Sequence, residues 1–312
     1  MSSERIRSAV RDLWWSAFTE LGVPGVVRHH QDVAIDPEPL VVTAPAIFGL
    51  DARLRDQIYA WCATHGSKLS ASRLQGLARQ LGAGAQSDFA SFAATLRAEA
   101  DVRWSVAGEP WSHPPEVRPP RLPLERPALI RLRLRALCGV GARADVLCEL
   151  LPRGDWVRAA DLASEGYSKR SIANILAELA AANIAQSRPV GNAILYRLGH
   201  ADLLGQLVGP RPSAFPRWRQ VVALALETTR VAELEAKPAT VRRVEATRVR
   251  ENLARTASEL GVAEPTRTRG HPDGWARLVE WCADQVETLA SGASVAMQPT
   301  SSSVDPGQEE RA

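Results

Sequence analysis

Seven prolines lie between Glu109 and Pro127, and this proline-rich stretch restricts the fold more than any other feature of the chain. Each proline fixes φ and removes a backbone donor that a helix needs, so no regular helix can run through the stretch. The sequence therefore predicts an extended linker over residues 106–127. We expect separately folded segments on its two sides, because 312 residues suffice for two or three domains.

Apolar residues recur at helical spacing on both sides of this linker. Before it, the pattern from Ile6 to Leu21 and the later patterns up to Leu96 predict an all-helical N-terminal domain over residues 1–105. Far beyond it, similar patterns predict a helical region over residues 201–290. The remaining residues, 291–312, are rich in Ser, Pro, Gln and Glu and are predicted to be a disordered tail. The fold class is therefore expected to be mainly α.

Residues 142–198 have a more specific order of elements. An apolar stripe predicts a first helix, Trp156 and Val157 a very short strand, and Arg158–Ser164 a two-turn helix that ends near Gly166. Ser168 is a suitable cap for a third helix, and a pair of short helices across a glycine turn is a helix-turn-helix arrangement. Two strand-like runs follow, and Gly191 and Asn192 between them favour a hairpin turn.

The stretch RADVLCELLPRGDWVRAADLASEGYSKRSIANILAELAAANIAQSRPVGNAILYRL resembles the winged helix-turn-helix domain of bacterial transcriptional regulators of the broad ArsR or MarR type. The resemblance lies in the order and spacing of the elements, and we assign residues 128–200 to this domain, with the hairpin as a small β wing. It implies binding to specific sequences of double-stranded DNA. It also implies repression of transcription by occlusion of a promoter.

The third helix has the side chains that read base edges in a major groove. With Ile172, Ile175, Leu176 and Leu179 directed into the core, its opposite face presents Lys169, Arg170, Ala173, Asn174 and Ala177. Arginine and lysine donate to guanine, asparagine pairs with adenine, and serine hydroxyls bind phosphates. In the wing, the resemblance implies contacts to the DNA backbone or minor groove. The candidate DNA-binding residues are Ser168, Lys169, Arg170, Ser171, Asn174, Arg188, Asn192 and Arg197.

The low net charge is also compatible with a second function, that of a protein-interaction module. The whole chain carries a formal charge of only +3, which does not by itself indicate a nucleic-acid partner. Winged helices also serve as protein-interaction modules, for example as an accessory or antitoxin-like subunit of a bacterial defence or toxin operon. The basic run Arg126, Arg131, Arg133 and Arg135 fits either additional phosphate contacts or a solvated charged face.

The sequence lacks the patterns of an enzyme, a cofactor site or a metal site. It has no G-x-S-x-G, Walker A or G-x-G-x-x-G motif in a suitable context. The adjacent His29 and His30 are predicted to lie in a surface loop. The cysteines are scattered without a C-x-x-C spacing, so we expect buried small side chains, neither disulfides nor a zinc site. Without a long apolar run or a signal peptide, a cytoplasmic protein without a membrane partner is expected.

A homodimer is expected, because one recognition helix reads only a few base pairs and regulators gain site length by pairing half-sites. The apolar helices over Trp218–Leu234 and Trp275–Val286 are predicted to form much of the dimer contact. Trp14, Trp61, Trp218 and Trp275 fall on apolar helix faces, which favours packing over a ligand cage. An effector pocket among them stays open, and the sequence does not identify a small-molecule effector.

Overall fold

The computed structural model describes residues 2–100, 102–104, 107–116, 118–162, 166–265 and 274–293. Helices dominate this part of the chain, and a small three-stranded antiparallel sheet accompanies them, so the predicted mainly α class is confirmed. Residues 294–312, which make up most of the predicted tail, lie outside the described residues.

The N-terminal segment is helical, as predicted. Its helices are α1 (Ser2–Glu20), α2 (Pro37–Thr43), α3 (Ala52–His65), α4 (Ala71–Ala78) and α5 (Ala83–Ala100), with short 3-10 turns at Ala44–Ile47 and Gly66–Lys68. Local chemistry fixes several of these ends. Asp51 Oδ1 accepts the Leu54 N–H at 3.0 Å to begin α3, and Gly22, with φ of +102°, follows the end of α1.

The remaining elements follow a 3-10 turn at Pro127–Leu129. They are α6 (Ile130–Cys138), α7 (Ala142–Leu150), β1 (Val157–Arg158), α8 (Ala159–Leu162), α9 (Lys169–Ala181), β2 (Ala185–Val190), β3 (Ala193–Leu198), α10 (Ala201–Val208), α11 (Trp218–Glu235), α12 (Ala239–Leu260) and α13 (Gly274–Ala290). The strands lie in the order β1–β3–β2, and all pairs are antiparallel. The helix predicted over Arg158–Ser164 corresponds to α8, but Arg158 belongs to β1 instead, and residues 163 and 164 lie outside the described residues.

One hydrophobic core joins the two ends of the chain. The apolar face of α1, with Trp14 and Phe18, is covered by α11 and α13, which contribute Val222 and Val286. The helices α1–α5 and α11–α13, which the sequence predicts to lie in separate domains, therefore share a core. Most of the large apolar residues of α11 and α13, Trp218 among them, are buried inside one chain, so a dimer contact, which stays a prediction, needs other surfaces of these helices.

The proline-rich stretch is extended, but it is not a free linker. Trp111 packs its ring against Phe92 at 5.5 Å between centroids, and its backbone N–H donates to Thr95 Oγ1 at 2.8 Å. Farther along, the Pro120 carbonyl lies 2.8 Å from His65 Nε2, and Arg126 donates to the Glu20 carbonyl. The stretch is therefore a strap on the first core, held by aromatic packing and by side chains that bond its backbone.

His30 lies in the core instead of the surface loop that the sequence predicts. Its side chain is 3% exposed, packs against Trp218 and joins two distant helices. Nε2 donates to the Leu289 carbonyl at 3.1 Å, so Nδ1 accepts from the Ser16 hydroxyl at 2.7 Å. Both ring nitrogens are thus satisfied by a neutral imidazole, which bridges α1 and the end of α13.

Acidification is expected to destabilise the protein through His30. Burial lowers the pKa of His30 from 6.5 to about 4, so the stability that its neutral form contributes is present above pH 6.5 and is lost as the pH falls towards 4. This linkage removes about 2 kcal/mol of unfolding free energy between pH 7 and 5. Urea denaturation at both pH values measures it. A His30→Gln variant should show a smaller difference, and a His200→Gln variant the wild-type difference; equal differences in all three proteins contradict the assignment.

Candidate nucleic-acid interface

The elements over residues 142–198, which we call the hairpin module, enclose a second hydrophobic core. Ile172, Leu176 and Leu179 direct their side chains into it from α9, as the sequence predicts. Leu147 from α7 and Tyr196 from β3 complete its centre. Because one face of α9 is fixed in this way, the opposite face is directed to solvent.

The beginning of α9 presents most of the predicted reading residues. Ser168, Lys169, Arg170 and Asn174 are exposed, and Ser171 is half-buried. Ser168 Oγ accepts the Ser171 N–H at 3.1 Å, which confirms the predicted cap. Within the described part of the chain, neither Lys169 nor Arg170 forms a salt bridge. Lys169, Arg170 and Asn174, which we call the α9 face, therefore form an exposed polar surface on a rigid helix.

Ala173 differs from the prediction. It is half-buried and packs against the core of the hairpin module, so it does not belong to the exposed face with Asn174. Ala177, one turn farther along α9, is exposed as predicted. A small exposed side chain allows a helix to approach base edges closely, and Ala177 still provides this on α9.

The hairpin closes through a two-residue turn at Gly191 and Asn192. Gly191 takes φ of +55°, whereas Asn192 does not adopt a positive φ. A positive φ at the first central residue alone is the pattern of a type II′ turn, which suits the twist of a hairpin. Asn192 is exposed at the tip of the hairpin, and Pro189 is tolerated because β2 is an edge strand.

Trp156, predicted to lie in the short strand, instead lies just before β1, and two wing arginines contact its ring. The guanidinium carbons of Arg188 and Arg197 lie 4.6 and 4.9 Å from the centre of the Trp156 ring, and Arg197 donates to Gln186 Oε1 at 2.7 Å. The register pairs Arg188 and also Arg158 with Leu195, which places these arginines on the outer face of the sheet. Cation–π contacts thus hold positive charge at the base of the wing.

Two arginines of the basic run before the hairpin module form neither of the two arrangements that the sequence left open. Arg131 and Arg135 are buried and face carboxylates from distant segments. We call this group the ion cluster; its members are Asp36, Glu38, Arg73, Arg131, Arg135 and Asp145. Arg135 is shared between Glu38 of α2 and Asp145 of α7, where its Nη2 lies 2.8 Å from Oδ1. The cluster therefore joins the hairpin module to the first core.

The pKa values of two buried carboxyls in the ion cluster, Asp36 and Asp145, are held below their usual range. Burial alone raises the pKa of Asp36, but the guanidinium groups of Arg131 and Arg73 outweigh it and hold that pKa well below its usual value. The pKa of Asp145 is lowered by the same balance, with Arg135 as its main partner. Tyr167, just before α9, donates to Asp145 Oδ2 at 2.7 Å and lies 3.2 Å from Ser70 Oγ. The approach to α9 is thereby fixed to both segments.

Because of these ion pairs, the near-neutral total charge of the hairpin module does not describe the local charge at the beginning of α9. Residues 141–200 contain seven basic and six acidic side chains. Asp145 and Glu149 are occupied by buried arginines, and Glu178 faces Arg143 at 2.5 Å, away from the beginning of α9. The acids with these partners therefore do not neutralise Lys169 and Arg170, and the α9 face has more positive potential than the total charge indicates.

Comparison with known proteins identified no relative of this chain. No protein-family model, curated protein or solved structure matches this chain. Within the described ranges, no three His, Cys, Asp or Glu side chains are grouped so that they could hold a metal ion. The same ranges contain no helix with the length and apolar character needed to span a bilayer. The geometry of the hairpin module is therefore the main indication of function.

Proposed function

We propose that the hairpin module is a winged helix that binds double-stranded DNA with α9 in the major groove, and that the protein is a cytoplasmic transcriptional repressor. The observation that carries this proposal is the α9 face. Lys169, Arg170 and Asn174 are exposed on the first turns of a capped helix whose opposite side is buried. The N-terminal residues of such a helix are those that reach base edges.

Phosphate contacts on both sides of α9 complete the proposed interface. The free backbone N–H groups at the start of α9 and the hydroxyls of Ser168 and Ser171 suit one phosphate group. On the wing, Arg188 and Arg197 supply positive charge beside Trp156, and Asn192 supplies a polar tip. A homodimer stays part of the proposal, and its contact has to use surfaces other than the buried faces of α11 and α13.

Binding to duplex DNA should depend strongly on salt. The test is fluorescence anisotropy with a duplex from the protein's own upstream region and an unrelated duplex of equal length. If about five phosphates are neutralised, affinity falls roughly 100- to 1000-fold between 50 and 200 mM salt. An Arg7→Ala variant is the control, because Arg7 pairs with Glu4 on α1, outside the proposed interface, and the variant should keep wild-type affinity. Absence of binding at 50 mM salt contradicts the proposal.

One observation favours the interaction module as a second candidate function. Ile194 of the wing is 53% exposed, and Val190 on the neighbouring strand is also exposed. Exposed apolar side chains at a wing tip suit a protein partner better than a phosphate backbone. An Ile194→Ser variant separates the two functions, since it should weaken association with a protein partner and leave the affinity for DNA unchanged.

A further inference from the structure

The helix α10, which follows the wing directly, carries two leucines on the side that is directed away from the core. Leu203 is 62% exposed and Leu207 is 69% exposed. Their spacing of four residues places both side chains on one face of the helix, one turn apart. Gly205 and Val208 are buried on the opposite face, which packs against α6 and the core of the hairpin module. The two leucines therefore contribute little to the core of their own chain.

Two more exposed apolar residues, Leu137 and Val140, lie at the end of α6, beside α10. Arg133, one turn before Leu137, donates to the Pro210 carbonyl just after α10, so Leu137 lies on the side of α6 that faces α10. Four of the ten large apolar side chains that are exposed in the described part of the chain are thus grouped around one helix. We call this group the apolar patch; its members are Leu137, Val140, Leu203 and Leu207.

The size of the apolar patch fits the centre of a protein–protein interface. Its four side chains expose on the order of 400 Å² of surface, as much as the largest apolar patches that monomers leave in solvent. A stable interface buries about 800 Å² on each partner and has an apolar centre with a polar rim. Asp202 and Gln206 are exposed beside the two leucines of α10 and are suitable rim residues. The patch and this rim together provide the surface that a dimer needs.

The basic side chains near α10 are directed away from the apolar patch. Arg133 donates to the carbonyls of Pro127 and Pro210, and the guanidinium group of Arg211 lies against Gly205, on the face of α10 opposite the leucines. The patch itself therefore has no cation that could bind a phosphate backbone. A face without charged side chains can pair with its own copy, because a two-fold symmetric contact then brings no like charges together at its centre.

We propose that a second copy of this chain covers the apolar patch, with the α10 helices of the two chains antiparallel across a two-fold axis. Leu203 of each chain then contacts the partner's Leu207, and Leu137 and Val140 extend the contact. The contact specifies the homodimer of the proposed function, on which its role in reading two half-sites rests, and lies on α10 instead of α11 and α13. Because α10 and α9 belong to adjoining parts of one module, the dimer fixes the two α9 faces relative to one another, as paired half-sites require.

The test is sedimentation velocity of the full chain without DNA over a series of concentrations. Wild-type protein should be dimeric at about 10 μM. Leu203→Glu and Leu207→Glu should each raise the dimer Kd at least about 100-fold, because the two-fold axis places an unpaired carboxylate in the interface twice. Both positions are exposed, so the variants should stay folded, and circular-dichroism melting curves check this. Val244→Glu on α12 is the matched control: its side chain is 76% exposed outside the patch, and the variant should keep the wild-type Kd.

Two double variants test the antiparallel arrangement. Leu203→Glu/Leu207→Lys places opposite charges at both symmetric contacts and should dimerise at least about tenfold more tightly than Leu203→Glu/Leu207→Glu. Three results overturn the proposal: monomeric wild-type protein, an unchanged Kd in a folded Leu203→Glu variant, or equal Kd values for the two double variants. A wild-type monomer that binds duplex DNA overturns the dimer contact alone. A dimer with the expected variant effects that does not bind DNA at low salt supports the contact and contradicts only the proposed DNA binding.

Discussion

Replacement of Arg135 by methionine is expected to lower the free energy of unfolding by about 3–5 kcal/mol, because it breaks a buried network of charges by removing one partner. Arg135 is 3% exposed and lies between Glu38 and Asp145. Without its guanidinium group, two buried carboxylates lose their shared cation, although Asp145 keeps Arg131 and the Tyr167 hydroxyl. Methionine fills a similar length, so a cavity contributes little to the loss.

The matched control is Arg143→Met, which removes an arginine from the same region. Arg143 and Glu178 form a salt bridge with more than half of each side chain exposed, and such pairs contribute less than about 1 kcal/mol. Urea denaturation at pH 7 measures both variants. Losses of equal size would show that the ion cluster contributes no more than a surface pair, and the predicted link between the hairpin module and the first core would then be wrong.

The ion cluster could not be predicted from the sequence. Arg131 and Arg135 are one helical turn apart, which by itself looks like an ordinary basic face. Their partners Asp36 and Glu38 belong to a segment far earlier in the chain, and no local periodicity connects the two. A basic residue buried by a distant carboxylate has the same local pattern as one in solvent, so only the tertiary structure distinguishes them.

Local features, by contrast, were predictable. The caps Asp51 and Ser168 use their own side chains within one turn, and Gly22 follows the end of its helix because the chain there needs a positive φ. The inward residues of α9 follow from spacing alone. The shared core of α1, α11 and α13 and the burial of His30 were missed for the same reason as the ion cluster, since both depend on contacts between opposite ends of the chain.

Simultaneous replacement of Lys169, Arg170 and Asn174 by alanine is expected to lower the affinity for the specific DNA site by at least about 100-fold, because each base contact contributes about 1–3 kcal/mol. The melting temperature should change little. All three side chains are exposed, and a surface substitution shifts stability by about 0.5 kcal/mol or less. Fluorescence anisotropy and thermal melting on the same samples separate affinity from folding.

Leu176→Ala is the matched variant from the opposite side of α9 and should fail in a different way. Leu176 is fully buried, so the cavity left by its side chain should cost about 2–5 kcal/mol of unfolding free energy. Any molecules that remain folded at low temperature keep the α9 face and should bind DNA with wild-type affinity. If the folded triple variant binds DNA as tightly as the wild type, α9 does not read DNA, and the interaction module becomes the better explanation of the exposed wing.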